Sequence, residues 1–97
     1  MQIQTNLYYF LKGFETLRPN NFTFTGLKAM YNFFNSLDQI IEFDVIAICC
    51  DFTEYYTNAD PLAQINEEYG TDFKTLEDLM NRTIVIESDV SIIIQNF

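Results

Sequence analysis

The chain reads as an α+β domain. Apolar residues recur at helical spacing through 7–17 and 27–37. Asp60-Pro61 and Gly70 punctuate a further helix between them, an acidic cap with proline at the first helical position and glycine at the exit. TIVIE (83–87) and SIIIQ (91–95), three residues apart, read as a closing hairpin. The expected order is α-α-β-α-α-β-β: one three-stranded sheet, antiparallel at least in the hairpin, packed by about four helices in a single domain over residues 1–97.

The elements follow in turn. Leu7, Phe10, Leu11, Phe14 and Leu17 form the stripe of the first helix, with Thr5 or Asn6 as its cap. Pro19 pushes Arg18 out of helical geometry and ends it. A second helix starts at Thr23, where Phe22 and Leu27 stand at hydrophobic-staple positions. Its inner stripe is Leu27, Met30, Tyr31, Phe34 and Leu37, with Phe24 and Phe33 off it. Residues 41–50, IEFDVIAICC, are rich in β-branched residues and read as a strand, with Asp51 to Tyr56 as its exit loop. The helix from Asp60 runs to about Tyr69 and turns Leu62, Ile65 and Tyr69 inward, leaving Glu67 and Glu68 to solvent. A shorter helix covers about 73–81, with Phe73, Leu76, Leu79 and Met80 inward and Glu77 and Asp78 outward.

Composition excludes several functions. Of 97 residues, 14 are acidic and 5 basic, none is histidine, and the formal charge is −9. Ten Phe and six Tyr in a 48% hydrophobic chain speak for a packed core rather than an acidic disordered tail. Five scattered basic residues make no stripe for phosphates, so direct nucleic-acid binding is not expected. Missing histidine removes the commonest general base and transition-metal ligand. The longest apolar run, Val45 to Cys50, is too short to cross a membrane, and Met1 to Gln4 lack the basic start of a signal peptide. Cys49 and Cys50 are adjacent, a spacing that disfavours an ordinary disulfide, and read as reduced packing residues of an intracellular protein.

No constellation for catalysis stands out. Asp44, Asp51 and Glu54 are the carboxylates whose placement suits convergence on a divalent cation, but no basic residue lies near them in sequence to steady a phosphate. Cys50 lacks a base, Ser88 and Ser91 sit in a hairpin, and three glycines make no phosphate loop. The expectation is a protein that is not an enzyme and needs no cofactor or metal.

What remains is the distribution of charge. Residues 1–41 hold two acids against three bases, a net of +1; residues 42–97 hold twelve acids against two bases, a net of −10. Solubility needs charge but not its segregation, and like charges on one face repel. Carboxylates set on a rigid surface can occupy a groove built for the phosphates of DNA, steered by opposite potentials and weakened by salt. The candidate contact residues are Asp51, Glu54, Asp60, Glu67, Glu68, Asp72, Glu77, Asp78 and Glu87, with Tyr55, Tyr56 and Tyr69 as aromatic anchors. A plain solvated acidic surface is the alternative, and for each tyrosine core packing is.

The segment FDVIAICCDFTEY (Phe43 to Tyr55), after FTFTGLKAMYNFF and before TIVIESDVSIIIQNF, resembles a group of small phage and prophage proteins. They share an FD-aliphatic-A-aliphatic-CC-acid-aromatic-S/T-EY core. In length and acidity the chain also looks like a phage anti-CRISPR protein, of the kind that acts on type I-F systems by mimicking DNA. That resemblance implies a Cas surveillance complex, or another basic nucleic-acid-binding protein, as partner in the cytoplasm of the bacterial host. An antirestriction or nucleoid-protein mimic is the alternative, and so is a phage structural or adaptor module with an apolar patch at Phe24, Phe33 or Ile92–Ile94. The oligomeric state stays open, with a monomer favoured.

Overall fold

A computed structural model describes residues 5–38, 40 and 42–97. The first four residues, Gln39 and Ile41 fall outside it, so the readings placed on Met1 to Gln4 and on Ile41 are not addressed. In chain order the elements are α1 (Leu7–Leu17), α2 (Phe24–Ser36), α3 (Val45–Asp51), β1 (Phe52–Tyr56), a 3₁₀ turn (Thr57–Ala59), α4 (Pro61–Tyr69), α5 (Leu76–Met80), β2 (Val85–Glu87) and β3 (Ser91–Gln95). The class is α+β, with one three-stranded antiparallel sheet.

Local chemistry starts each helix. Asn6 caps α1, its side chain accepting the Tyr9 N–H at 2.9 Å. Thr23 caps α2, accepting the Gly26 N–H at 3.0 Å, and both staple residues, Phe22 and Leu27, are buried. Asp60 caps α4 in a left-handed conformation (φ 51°), and Gly70 ends that helix at φ 66°, a region where glycine carries no side-chain penalty. Thr75 and Asp78 close a capping box at α5.

The strand read at 41–50 is the one misplaced element. Residues 45–51 are helical, and the first strand is the segment read as its exit loop. Asp44 caps the helix by accepting the Ala47 N–H at 3.1 Å. Val45 and Ile48 are buried while Ile46, Ala47 and Cys50 are exposed, a spacing of three that a strand cannot give.

The sheet order is β1-β3-β2. Phe52 to Tyr56 pair with Gln95 to Ser91, and Val85 to Glu87 with Ile94 to Ile92. β3 is therefore central and covered on both faces, which explains its unbroken Ile92-Ile93-Ile94 run. Alternation divides the interior into two cores. On one face Phe52, Ile86 and Ile93 meet Phe10, Phe14, Met30, Phe34 and Ile48 of α1–α3. On the other, Tyr55, Ile92 and Ile94 meet Ile65 and Leu79 of α4 and α5. The molecule is a sheet between two helical layers. Met80 and Leu17, read as inward, are 43% and 50% exposed at the ends of their helices.

Candidate partner-binding surface

The α4–α5 layer is the strongly acidic one. Residues 60–78 hold six acids and one base, a net of −5 within 19 residues. Ile65 is fully buried against the sheet, which turns Glu67 outward on the opposite side of α4, while Glu68, three residues on from Ile65, is exposed at the margin of the buried face. On α5 Leu79 is buried while Glu77 and Asp78 are exposed.

Asn66 fixes the loop between the two helices. Its Oδ1 accepts the Phe73 N–H and the Thr71 hydroxyl, each at 2.9 Å, and its Nδ2 donates to the Phe73 carbonyl at 3.0 Å. A neutral side chain thus holds Asp72 in place, and no charge or spacing in the sequence points to it.

The acids of this layer are not equally free. Asp60 accepts the Ala63 N–H at 3.3 Å. Asp72 pairs with Lys74 at 3.0 Å, at the surface, where such a pair contributes little to stability. Asp78 accepts the N–H groups of Lys74 and Thr75 at 3.1 and 3.2 Å. Glu68 accepts the Tyr55 hydroxyl at 2.5 Å. Glu67 and Glu77 have no side-chain hydrogen bond or ion pair among the described residues, and their carboxylates are available to a partner.

The remaining candidates separate from this layer. Asp51 is exposed at the end of α3, in the opposite helical layer, and Glu87 is exposed at the end of the edge strand β2. Glu54 leaves the contact set altogether. It lies on β1 facing α2, where its carboxylate accepts the Thr23 N–H at 2.7 Å, the Thr23 hydroxyl at 2.6 Å and the Ser91 hydroxyl at 2.5 Å. A Cβ at Gly26 would stand 2.5 Å from that carboxylate, so the glycine makes room for it. Glu54 joins sheet to helix across 31 residues, and nothing local in the sequence foretells the contact.

Two of the three tyrosines fail as exposed anchors. Tyr55 is buried, and burial first, then the hydrogen bond and charge of Glu68 and the neighbouring Tyr69, push its phenol far above the ordinary value. Tyr69 is half-buried, its ring stacked on Phe97 at 4.2 Å and its hydroxyl donating to Asn96 Oδ1 at 3.2 Å. Tyr56 is half exposed. Of the apolar patches read for an adaptor, Ile92–Ile94 is the buried central strand and Phe33 packs on Phe34, whereas Phe24 is exposed.

Asp44 and Asp51 sit at opposite ends of α3 and Glu54 is turned to Thr23 at the start of α2, so the three do not converge. Among the described residues no group of three or more Cys, Asp or Glu side chains is placed to hold a metal ion. Cys50 is exposed and Cys49 half-buried; burial raises the Cys49 thiol despite the opposing charge of Arg18, so it is the less reactive state that burial favours. No described helix is long and apolar enough to cross a membrane. Compared with protein-family models, curated proteins and solved structures, the chain matches none.

Proposed function

We propose that the protein is a phage-encoded inhibitor that presents its α4–α5 layer as an imitation of DNA. It would seat this layer in the basic groove through which a Cas surveillance complex receives target DNA, in the cytoplasm of the bacterial host. It acts by occupying the groove, with no chemistry or cofactor of its own. One observation carries the reading: six acids against one base, spread over two helices, the cap of the first and a connecting loop that Asn66 clamps. A charged surface held by the fold meets its partner without first ordering itself, which favours binding. The −5 layer supplies the potential that steers it to a Lys/Arg-lined site.

Competition with target DNA for purified surveillance complex tests this. Wild-type protein displaces DNA, less effectively as salt rises. Glu67→Lys with Glu77→Lys abolishes displacement, because both carboxylates are free and neither supports the fold. Asp51→Lys, in the other layer, leaves it intact. Undiminished displacement by the double variant would sink the acidic-layer reading. The same assay with a restriction enzyme and a nucleoid protein separates the related targets. A phage structural or adaptor role is the second reading, favoured by aromatic residues exposed on α1 and α2.

A further inference from the structure

We propose that Asn96 and Phe97, the two residues after β3, latch the α4–α5 layer to the sheet, and that this layer opens as a unit while the rest of the fold stays closed. The two cores are unequal. Among the described residues, eleven buried side chains build the core under α1–α3 and five build the core under α4–α5. Three of those five, Tyr55, Ile92 and Ile94, belong to the sheet, so the layer itself contributes Ile65 and Leu79. Apolar burial is the main force that resists opening, and the layer with the smaller core is the one that opens first. The layer also carries its own bonds with it. Asn66 clamps the loop, and Thr75 and Asp78 close the capping box of α5, so undocking breaks none of these. It breaks the Tyr55–Glu68 hydrogen bond and the contacts of the latch.

Asn96 is fixed to α3 and β1. Its N–H donates to the Asp51 carbonyl at 2.7 Å and its Nδ2 to the Cys50 carbonyl at 2.9 Å, while its Oδ1 accepts the Thr53 hydroxyl at 2.7 Å. The same Oδ1 accepts the hydroxyl of Tyr69, the last residue of α4, at 3.2 Å. Phe97 completes the grip. Its ring stacks on Tyr69 with centroids 4.2 Å apart and meets Phe73 of the connecting loop edge-on at 6.1 Å. The Arg82 guanidinium, just past α5, lies 5.1 Å from the same ring. One side chain thus holds the end of α4, the loop and the exit of α5, and the residue before it is bonded to the other side of the fold. Asn96 is exposed and Phe97 half-buried, so changing either loosens the margin of the core rather than opening a cavity at its centre. On the acidic-layer reading the latch keeps the carboxylates in one arrangement. The latch itself rests on contacts within the free chain and stands whatever the layer binds.

Hydrogen exchange of the full chain without a partner, read over α2, β3 and α4–α5 in the regime where rates report the opening equilibrium, tests this. In the parent, α4–α5 exchanges faster than α2 and β3, which wait for global unfolding. Phe97→Ala speeds α4–α5 at least about tenfold, equivalent to about 1.4 kcal/mol. It speeds α2 and β3 by the same factor, because the latch is broken in the open form and in the unfolded chain alike. Phe97→Leu gives a smaller rise with the same pattern. Ile48→Val thins the other core, which stays closed when the layer opens. It therefore speeds α2 and β3 by about two- to tenfold and leaves α4–α5 unchanged. Equal speeding of all three regions by Ile48→Val overturns the proposal, since the layer would then open only with the whole chain. A parent in which α4–α5 exchanges as slowly as β3 overturns it for the same reason. Rates in α4–α5 that both Phe97 variants leave unchanged overturn the latch. None of these results reads displacement of DNA, so the latch and the acidic-layer reading fail separately.

Discussion

Tyr55 and Glu54 are adjacent on β1 and point to opposite faces, and each shows how one polar side chain ties layers together. Glu54 satisfies donors from the start of α2 and from β3. Removing one partner of such a set leaves the others buried without a match. Tyr55 reaches the other way, to Glu68 on α4. Its phenol is held neutral by burial and by Glu68, so its pKa is raised in the folded state. The sign follows directly: the unfolded chain loses this proton near pH 10 while the folded chain keeps it. The contribution is fully present below about pH 10 and is lost as pH climbs above it. Thermal melts between neutral and strongly alkaline pH should therefore show a falling midpoint above about pH 10. Tyr55→Phe should reduce that fall, while costing about 1 kcal/mol at neutral pH through the lost hydrogen bond. An identical alkaline fall in the variant would show that another group governs it.

At the scale of elements, α3 separates what the sequence discloses from what it hides. The run Val45-Ile46-Ala47-Ile48 has strand propensity throughout, yet it folds as a helix because tertiary contacts override propensity. A local signal for the helix was present in Asp44, an acidic cap, with Phe43 and Ile48 at staple positions. The same grammar marks α2 through Phe22, Thr23 and Leu27. The hairpin and α4 were legible because Pro61, Gly70 and the three-residue Ser88–Val90 link are positional signals. β1 was not, since its partner β3 lies some forty residues away. Asp44→Ala should destabilise the protein by about 1 kcal/mol, and Asp44→Asn, an equally good cap, by only a few tenths. Urea melts of the two variants check this. Equal behaviour would mean that the cap at Asp44 does not hold α3.

For the whole molecule, the charge asymmetry visible along the chain becomes an asymmetry between layers. The chain-half division overstated the surface: Glu54 is partly buried and taken up by Thr23 and Ser91, and Asp51 and Glu87 lie away from α4–α5. The acids that do gather, Asp60 to Asp78, share one layer because Ile65 and Leu79 bury its other side. Sequence periodicity could show which way these side chains turn, but not that Glu54 is consumed by a helix start 31 residues earlier. Such a layer works against itself in the folded state, and self-repulsion of this kind is screened by salt. The carboxylates of α4, α5 and the loop between them repel one another most at low ionic strength. Raising sodium chloride from about 0.02 M to about 0.5 M should lift the melting midpoint. Glu67→Lys with Glu77→Lys reduces the net charge from −9 to −5. That variant should melt higher than the parent at low salt and gain less on adding salt, and under the proposed function it should also lose displacement of DNA. Stability rising while binding falls would mark these carboxylates as placed for a partner rather than for the fold; a variant that melts lower than the parent would mean that they support the structure after all.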